Sequence, residues 1–199
     1  DAVIENITEK VTVKQDLYQK MDEICKPDTC FIANTSCISI TAIAAFTSRM
    51  DQVIGIHFMN PAALKSTVEL IAGVHTNQDT IQKAERFLSE LGKSFVSVGD
   101  FPGFVSNRIS HLFMNEAAFA VQDRLAEPAQ IDKIFRECFG HKLGPLETAD
   151  LIGLDVVADS LDILFESYHD SKYRCCPLLR KMVSAGMLGK KSGKGFYCY

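Results

Sequence analysis

A histidine closes a β-branched, apolar run, Gln52-Val53-Ile54-Gly55-Ile56-His57-Phe58, and Met59-Asn60-Pro61 follows at once. Imidazole is the side chain whose ordinary titration range lets it take up and return a proton near neutral pH. α/β sheets build their sites at the carboxyl ends of parallel strands. Alone, His57 reads equally well as a core histidine with a satisfied hydrogen bond. Glu69 changes the weighting. It sits inside Thr67-Val68-Glu69-Leu70-Ile71, between apolar neighbours that suggest burial, and a buried carboxylate without a partner is costly. Facing His57 from the adjacent strand, it would fix the imidazole tautomer and stabilise the imidazolium formed when an alcohol proton is removed. The other reading of Glu69 is an exposed residue on the polar face of a half-buried strand. Two more polar clusters follow predicted strands, Asn34-Thr35-Ser36 and Pro102-Gly103-Phe104-Val105-Ser106-Asn107-Arg108. Each is by itself ordinary turn or helix-cap chemistry. Four polar clusters at the ends of successive strands are the pattern of a site assembled from the loops of one sheet face.

The elements that must position these residues alternate. Short β-branched runs near Val3-Ile4 and at residues 30–34, 52–58, 68–74 and 94–98 are interleaved with helical spacing at 14–25, 39–46 and 80–91. This is the signature of βα units and a largely parallel sheet. Asp100-Phe101-Pro102-Gly103 then breaks the composition, since Pro and Gly together punctuate elements. Beyond it the pattern is helical: one helix to about residue 124, then 128–139, 145–169 and 177–187. The expectation is an α/β unit over residues 1–101 and an all-α unit over 102–199, the latter large enough to pack its own core or to bury a face against a partner subunit.

Composition excludes several classes. The chain has 199 residues, 47% of them hydrophobic, and a net charge of -4, and its basic residues form no stripe, which argues against a nucleic-acid partner. Seven cysteines, an odd number with no CxxC spacing, predict free thiols in a reducing compartment rather than a disulfide framework or a zinc site. There is no apolar run of about 18 residues to span a membrane. The first residues read as the interior of a strand, with no initiator Met and no signal-like segment, so the expectation is a fragment.

Taken together, these segments resemble the 3-hydroxyacyl-CoA dehydrogenase family, near its short-chain 3-hydroxybutyryl-CoA members. The match runs from Asn34-Thr35-Ser36 through His57-Phe58-Met59-Asn60-Pro61, Val68-Glu69, Asp100-Phe101-Pro102-Gly103-Phe104 with Asn107-Arg108, Gly144-Pro145-Leu146-Glu147 and Gly153-Leu154-Asp155. It ends in Gly189-Lys190-Lys191-Ser192-Gly193-Lys194-Gly195-Phe196-Tyr197. Each motif is weak, but their shared order is specific. The resemblance implies the C-terminal portion of an α/β Rossmann-type domain that binds NAD. An all-α dimerisation domain follows, which helps enclose an acyl-thioester substrate carried on CoA or a carrier protein, in a cytoplasmic homodimer. It implies that His57 is the base that takes the 3-hydroxyl proton and that Glu69 is its partner. It also implies that Ser36 and Asn107 bind the reacting oxygen and its surroundings, and that Glu9, Lys14, Ser36, Asn60 and Lys191 lie near the cofactor. No metal is implied.

The chain departs from the family pattern at several points. The Gly-x-Gly-x-x-Gly turn that holds a pyrophosphate is not among these residues. Met59 stands where a second aromatic is usual, Ala62-Ala63 replaces a larger pair, and Cys37 follows Ser36. Met59 and Ala62-Ala63, both beside the histidine, keep open a carrier-protein thioester or a small hydroxy acid as substrate, while Cys37 has no functional reading. A structural relative without catalysis is a further rival, and so is a β-hydroxyacid dehydrogenase with a lysine base, for which Lys65 is nearest in sequence.

Overall fold

Five strands form one sheet in the order β1 (Ala2–Glu5), β2 (Cys30–Ala33), β3 (Val53–His57), β4 (Thr67–Ala72) and β5 (Ser94–Val98). In this computed structural model, which describes residues 1–199, they lie in the first of two compact units, Asp1–Val105; the second is Ser106–Tyr199. Helices α1 (Val11–Ile24), α2 (Ile40–Ala44) and α3 (Gln78–Glu90) connect the strands. β1, β2 and β3 are parallel, β4 is antiparallel to β3, and β5 is parallel to β4. The reversal has a local cause. A parallel return needs a crossover of about a dozen residues or more, usually a helix, and the link from β3 to β4, residues 58–66, is short and carries none.

Direction decides what each sheet edge holds. The expectation of four polar clusters at the carboxyl ends of successive strands needs correction. β2 and β3 do deliver their ends to one edge, and the start of β4 joins them because His57 pairs with Glu69. β5 ends at the opposite edge, with Val98 beside Ile71.

Side chains alternate across the sheet with a period of two. Ile54 and Ile56 pack with Cys30, Ile32, Val68 and Leu70 against Ala84 and Leu88 of α3. On the other face Phe31, Val53 and Ile71 pack with Tyr18 of α1, Ile40 and Ile43 of α2, and Phe104. His57, an even number of residues on from Val53, and Glu69, the second residue before Ile71, belong to this second face. Gly55, between Val53 and His57, has no room for a side chain, because a Cβ there would lie 2.5 Å from Ile40 Cδ1.

The second unit contains α4 (Ser106–Gln122), α5 (Pro128–Phe139), α6 (Pro145–Ile152), α7 (Leu154–Tyr168) and α8 (Pro177–Ser184). Its core gathers Met114, Leu146, Leu154, Val157, Leu161 and Leu179. Proline opens α5, α6 and α8, where its missing N–H costs nothing. The single helix expected over residues 145–169 is two helices. Gly153, at φ 110° and ψ 124°, breaks the run in a backbone conformation that few other residues adopt. The expected strand at 68–74 ends at Ala72 and the expected helix at 177–187 ends at Ser184.

The glycine-rich tail folds on itself. Gly189 N–H donates to the Lys194 carbonyl and Tyr199 N–H to that of Gly193, enclosing a short 3-10 turn at Lys190–Ser192. Two fully buried aspartates hold it. Asp150 accepts from the Phe196 and Tyr197 N–H groups, at 3.0 Å each, and Asp132 Oδ2 accepts from the Tyr197 hydroxyl at 2.7 Å. Asp132 also caps α6 by accepting from the Leu146 and Glu147 N–H groups. None of the seven cysteines is paired in a disulfide, and no helix is long and apolar enough to cross a membrane.

Candidate active site

The antiparallel ladder sets His57 opposite Glu69, and cross-strand partners have Cβ atoms about 4.5–5.5 Å apart, so their side chains must meet. Nδ1 of His57 lies 2.8 Å from Glu69 Oε2. The other carboxylate oxygen, Oε1, accepts from the Val105 N–H at 3.0 Å. Both side chains are buried, with each residue 6% exposed. A carboxylate only accepts hydrogen bonds, so the network assigns the ring proton to Nδ1 and leaves the lone pair on Nε2. That lone pair points at Ser36, whose Oγ is 3.3 Å from Nε2. The Phe104 ring covers the imidazole, with centroids 5.8 Å apart.

Ser36 comes from the link between β2 and α2, which a single carboxylate organises. Glu9 Oε1 accepts from the Thr35 hydroxyl at 2.5 Å and from the Ser36 and Cys37 N–H groups at 2.8 Å each. Asn34 ties this link to the neighbouring strand, because its side-chain oxygen accepts from the Phe58 N–H at 3.2 Å. Cys37, a departure with no functional reading in the sequence, is buried and bound to Glu9 through its backbone.

The other residues singled out in the sequence are placed as follows. Lys14 is fully buried, and its ammonium donates to both oxygens of Glu5, at 2.7 and 2.8 Å, with Glu9 Oε2 at 3.8 Å. The Glu5 carboxylate and burial together push the Tyr18 phenol far above its ordinary range, burial being the larger cause. Asn60 is exposed and precedes a cis peptide bond to Pro61. Asn107 is the second residue of α4 and Lys191 lies in the tail turn, so both belong to the helical unit. Lys191 Nζ pairs with Asp155 at 2.6 Å. Lys65 sits in an exposed loop whose carbonyls at Ala62 and Lys65 accept from the Lys93 ammonium.

Within the first unit, then, Ser36, His57 and Glu69 form a chain of contacts with Glu9 behind it. Sequence reasoning missed Glu5 as the partner of Lys14, the Val105 N–H as a ligand of Glu69, and Phe104 as the cover of the ring. Phe104 carried a signal, an aromatic directly after Pro102-Gly103; a backbone donor carries none. Chemically, the arrangement is an imidazole with one nitrogen oriented by a carboxylate and the other within 3.3 Å of a hydroxyl, the geometry of a proton-exchanging group. No three His, Cys, Asp or Glu side chains converge as a metal site would require.

Comparison with known proteins is consistent from end to end. A family model described as the NAD binding domain of 3-hydroxyacyl-CoA dehydrogenase matches residues 1–101, and the C-terminal domain of the same family matches 103–199. A probable 3-hydroxybutyryl-CoA dehydrogenase of Bacillus subtilis is 46% identical over 199 residues, which is 100% of this chain and 69% of the relative. A 3-hydroxybutyryl-CoA dehydrogenase of Bradyrhizobium diazoefficiens is 43% identical over 100% of this chain and 68% of its own length. Among solved structures, an (S)-3-hydroxybutyryl-CoA dehydrogenase of Ralstonia eutropha superposes with a TM-score of 0.96 at 42% identity. It covers 100% of this chain and 70% of that one.

Proposed function

The chain belongs to the 3-hydroxyacyl-CoA dehydrogenase family of NAD-dependent oxidoreductases, and we propose that it interconverts a short 3-hydroxyacyl thioester and its 3-keto form, with His57 as the base. The observation that carries this reading is the two-sided fixing of one imidazole. Glu69 holds Nδ1 at 2.8 Å, and Nε2 faces a hydroxyl at 3.3 Å. The relatives' names point to 3-hydroxybutyryl-CoA as the thioester.

In the oxidative direction His57 Nε2 takes the proton of the 3-hydroxyl. The imidazolium that results is stabilised by Glu69, whose own charge is held by the Val105 N–H. Ser36 orients the same oxygen, and the family resemblance implies a substrate contact for Asn107. The residues present also fit a dinucleotide by their chemistry. Ser36, at the edge where β2 and β3 end, and Asn60, just beyond, offer a hydroxyl and a carboxamide, which both donate and accept, as a nicotinamide carboxamide requires. Glu9 adds an acceptor, Lys191 a donor, and the buried Lys14 supports Glu9. NAD, when bound, supplies the acceptor for the hydride that leaves C3.

The test is reduction of acetoacetyl-CoA by the complete natural polypeptide, followed by loss of NADH absorbance. Turnover that His57→Gln abolishes supports the reading. Turnover only with a carrier-protein thioester or a small hydroxy acid would move the substrate class. No turnover with any of them would leave a structural relative.

The helical unit exposes Ile109, Leu125, Phe139 and Leu151, each more than half accessible. A homodimer formed through that unit rests on the family resemblance, and sedimentation equilibrium at a monomer mass would overturn it. Seven cysteines without a disulfide support a cytoplasmic location.

A further inference from the structure

β5 delivers the chain to the wrong edge for the site. Val98 ends beside Ile71, near where β3 begins, whereas His57 and Glu69 stand at the other edge. Even so, the Val105 N–H reaches Glu69 Oε1 and Phe104, 3% exposed, lies against the His57 ring. Residues 99–105 therefore cross the face of the sheet, and they do so without a helix or strand to hold their course.

The fixed point of this crossing is Asp100. Its Oδ1 accepts from the Ile40 N–H at 2.7 Å. Its Oδ2 accepts from the Thr41 N–H at 2.8 Å, the Ser39 hydroxyl at 2.9 Å and the Thr41 hydroxyl at 2.6 Å. The Thr41 hydroxyl in turn accepts from the Val74 N–H at 3.0 Å, just beyond the end of β4. Residues 39–41 continue the segment that carries Ser36, and Glu9 holds the other end of that segment at residues 35–37.

We infer that Asp100 is a positioning residue for the proton-transfer group. One carboxylate fastens the segment that brings Ser36 to Nε2 to the segment that brings the Val105 N–H to Glu69, and so to Nδ1. Bonds to a charged acceptor are the stronger class, and four of them on one side chain make a joint rather than a hinge. The inference rests on His57 acting as the base, because only then does the placing of its two neighbours govern a rate.

Asp100→Asn in the complete polypeptide, which keeps the shape and removes the charge, tests it. The expected kcat loss is about tenfold, with the KM for NADH within about twofold, since small misplacements at a reacting centre slow chemistry more than binding. In a Glu69→Gln background the same change should cost less than about twofold, because two residues acting through one group do not add. A folded Asp100→Asn protein with the unsubstituted kcat, or losses that simply multiply, would overturn the inference. Should that variant not fold, Thr41→Val removes one donor to Asp100. An expected kcat loss of about threefold, absent in the Glu69→Gln background, then decides by the same logic. If the unsubstituted protein does not turn over at all, the functional reading falls. The joint is then judged by amide exchange, where Val105 is expected to exchange about tenfold faster in Asp100→Asn; an unchanged rate would end the proposal.

Discussion

Glu69 and His57 are register partners on antiparallel strands, and the 2.8 Å contact between Oε2 and Nδ1 follows from that pairing rather than from any loop. A contact set by a ladder is rigid, because moving it means slipping a strand and turning every side chain of β4 to the opposite face. His57→Gln is therefore expected to lower kcat by about two to four orders of magnitude with the KM for NADH little changed, the range typical of a lost general base. Lys65→Met should leave kcat within about twofold, since the exposed Lys65 lies outside the chain of contacts that joins Ser36, His57 and Glu69. Steady-state kinetics with acetoacetyl-CoA check both, and the reverse ranking would identify Lys65 as the base.

Ser36 and Asn107 are expected to separate in their effects. Ser36→Ala removes the hydroxyl at Nε2 and should lower kcat by about tenfold or more. Asn107→Ala should weaken thioester binding or turnover while the affinity for NAD stays near normal. Titration calorimetry for the nucleotide beside kinetics for the thioester distinguishes them. A large loss of NAD affinity in Asn107→Ala would contradict its role.

Gly153→Ala is expected to destabilise the helical unit by about 1–3 kcal/mol, the usual cost of forcing a side chain into such a backbone region. The added Cβ would also sit 2.9 Å from Asp155 Oδ1 and 3.0 Å from Lys191 Nζ, so the pair they form should be displaced. Denaturant midpoints measure the first effect, and the structure of the variant the second. A variant of unchanged midpoint would show that the break between α6 and α7 tolerates a side chain.

The tail predicts an alkaline transition. Desolvation of its hydroxyl, then the neighbouring Asp150, raises the Tyr199 phenol from an ordinary value of 10.0 to about 12, although the residue is 56% exposed. Burial and the hydrogen bond to Asp132 raise that of Tyr197 further. In the unfolded chain these phenols ionise near pH 10. Their contribution to stability is thus intact below that pH and is lost as pH rises from there through about 12 for Tyr199. Phenolate absorbance should lag behind that of free tyrosine while the fold persists. Tyr197→Phe, which leaves Asp132 short of one donor, should cost about 1–3 kcal/mol. Ordinary titration of both phenols in a folded protein would refute these contacts of the tail with Asp132 and Asp150.

The sequence by itself determined the elements and the chemistry-bearing positions, because those are written in local pattern. β-branched runs gave the five strands, a charged residue among apolar neighbours marked Glu69, and a histidine closing a strand marked His57. The place where Pro102 and Gly103 interrupt the alternation separated the two kinds of secondary structure. What only the tertiary structure decided was direction and partnership. Nothing local says that Glu69 rather than a neighbour stands opposite His57, that β5 ends at the far edge, that Lys14 is buried on Glu5, or that Asp100 gathers residues 39–41. These outcomes depend on which segments meet across the sheet. Side-chain periodicity says which face a residue occupies but not who stands opposite, so the oriented imidazole exists only once strand direction and register are set.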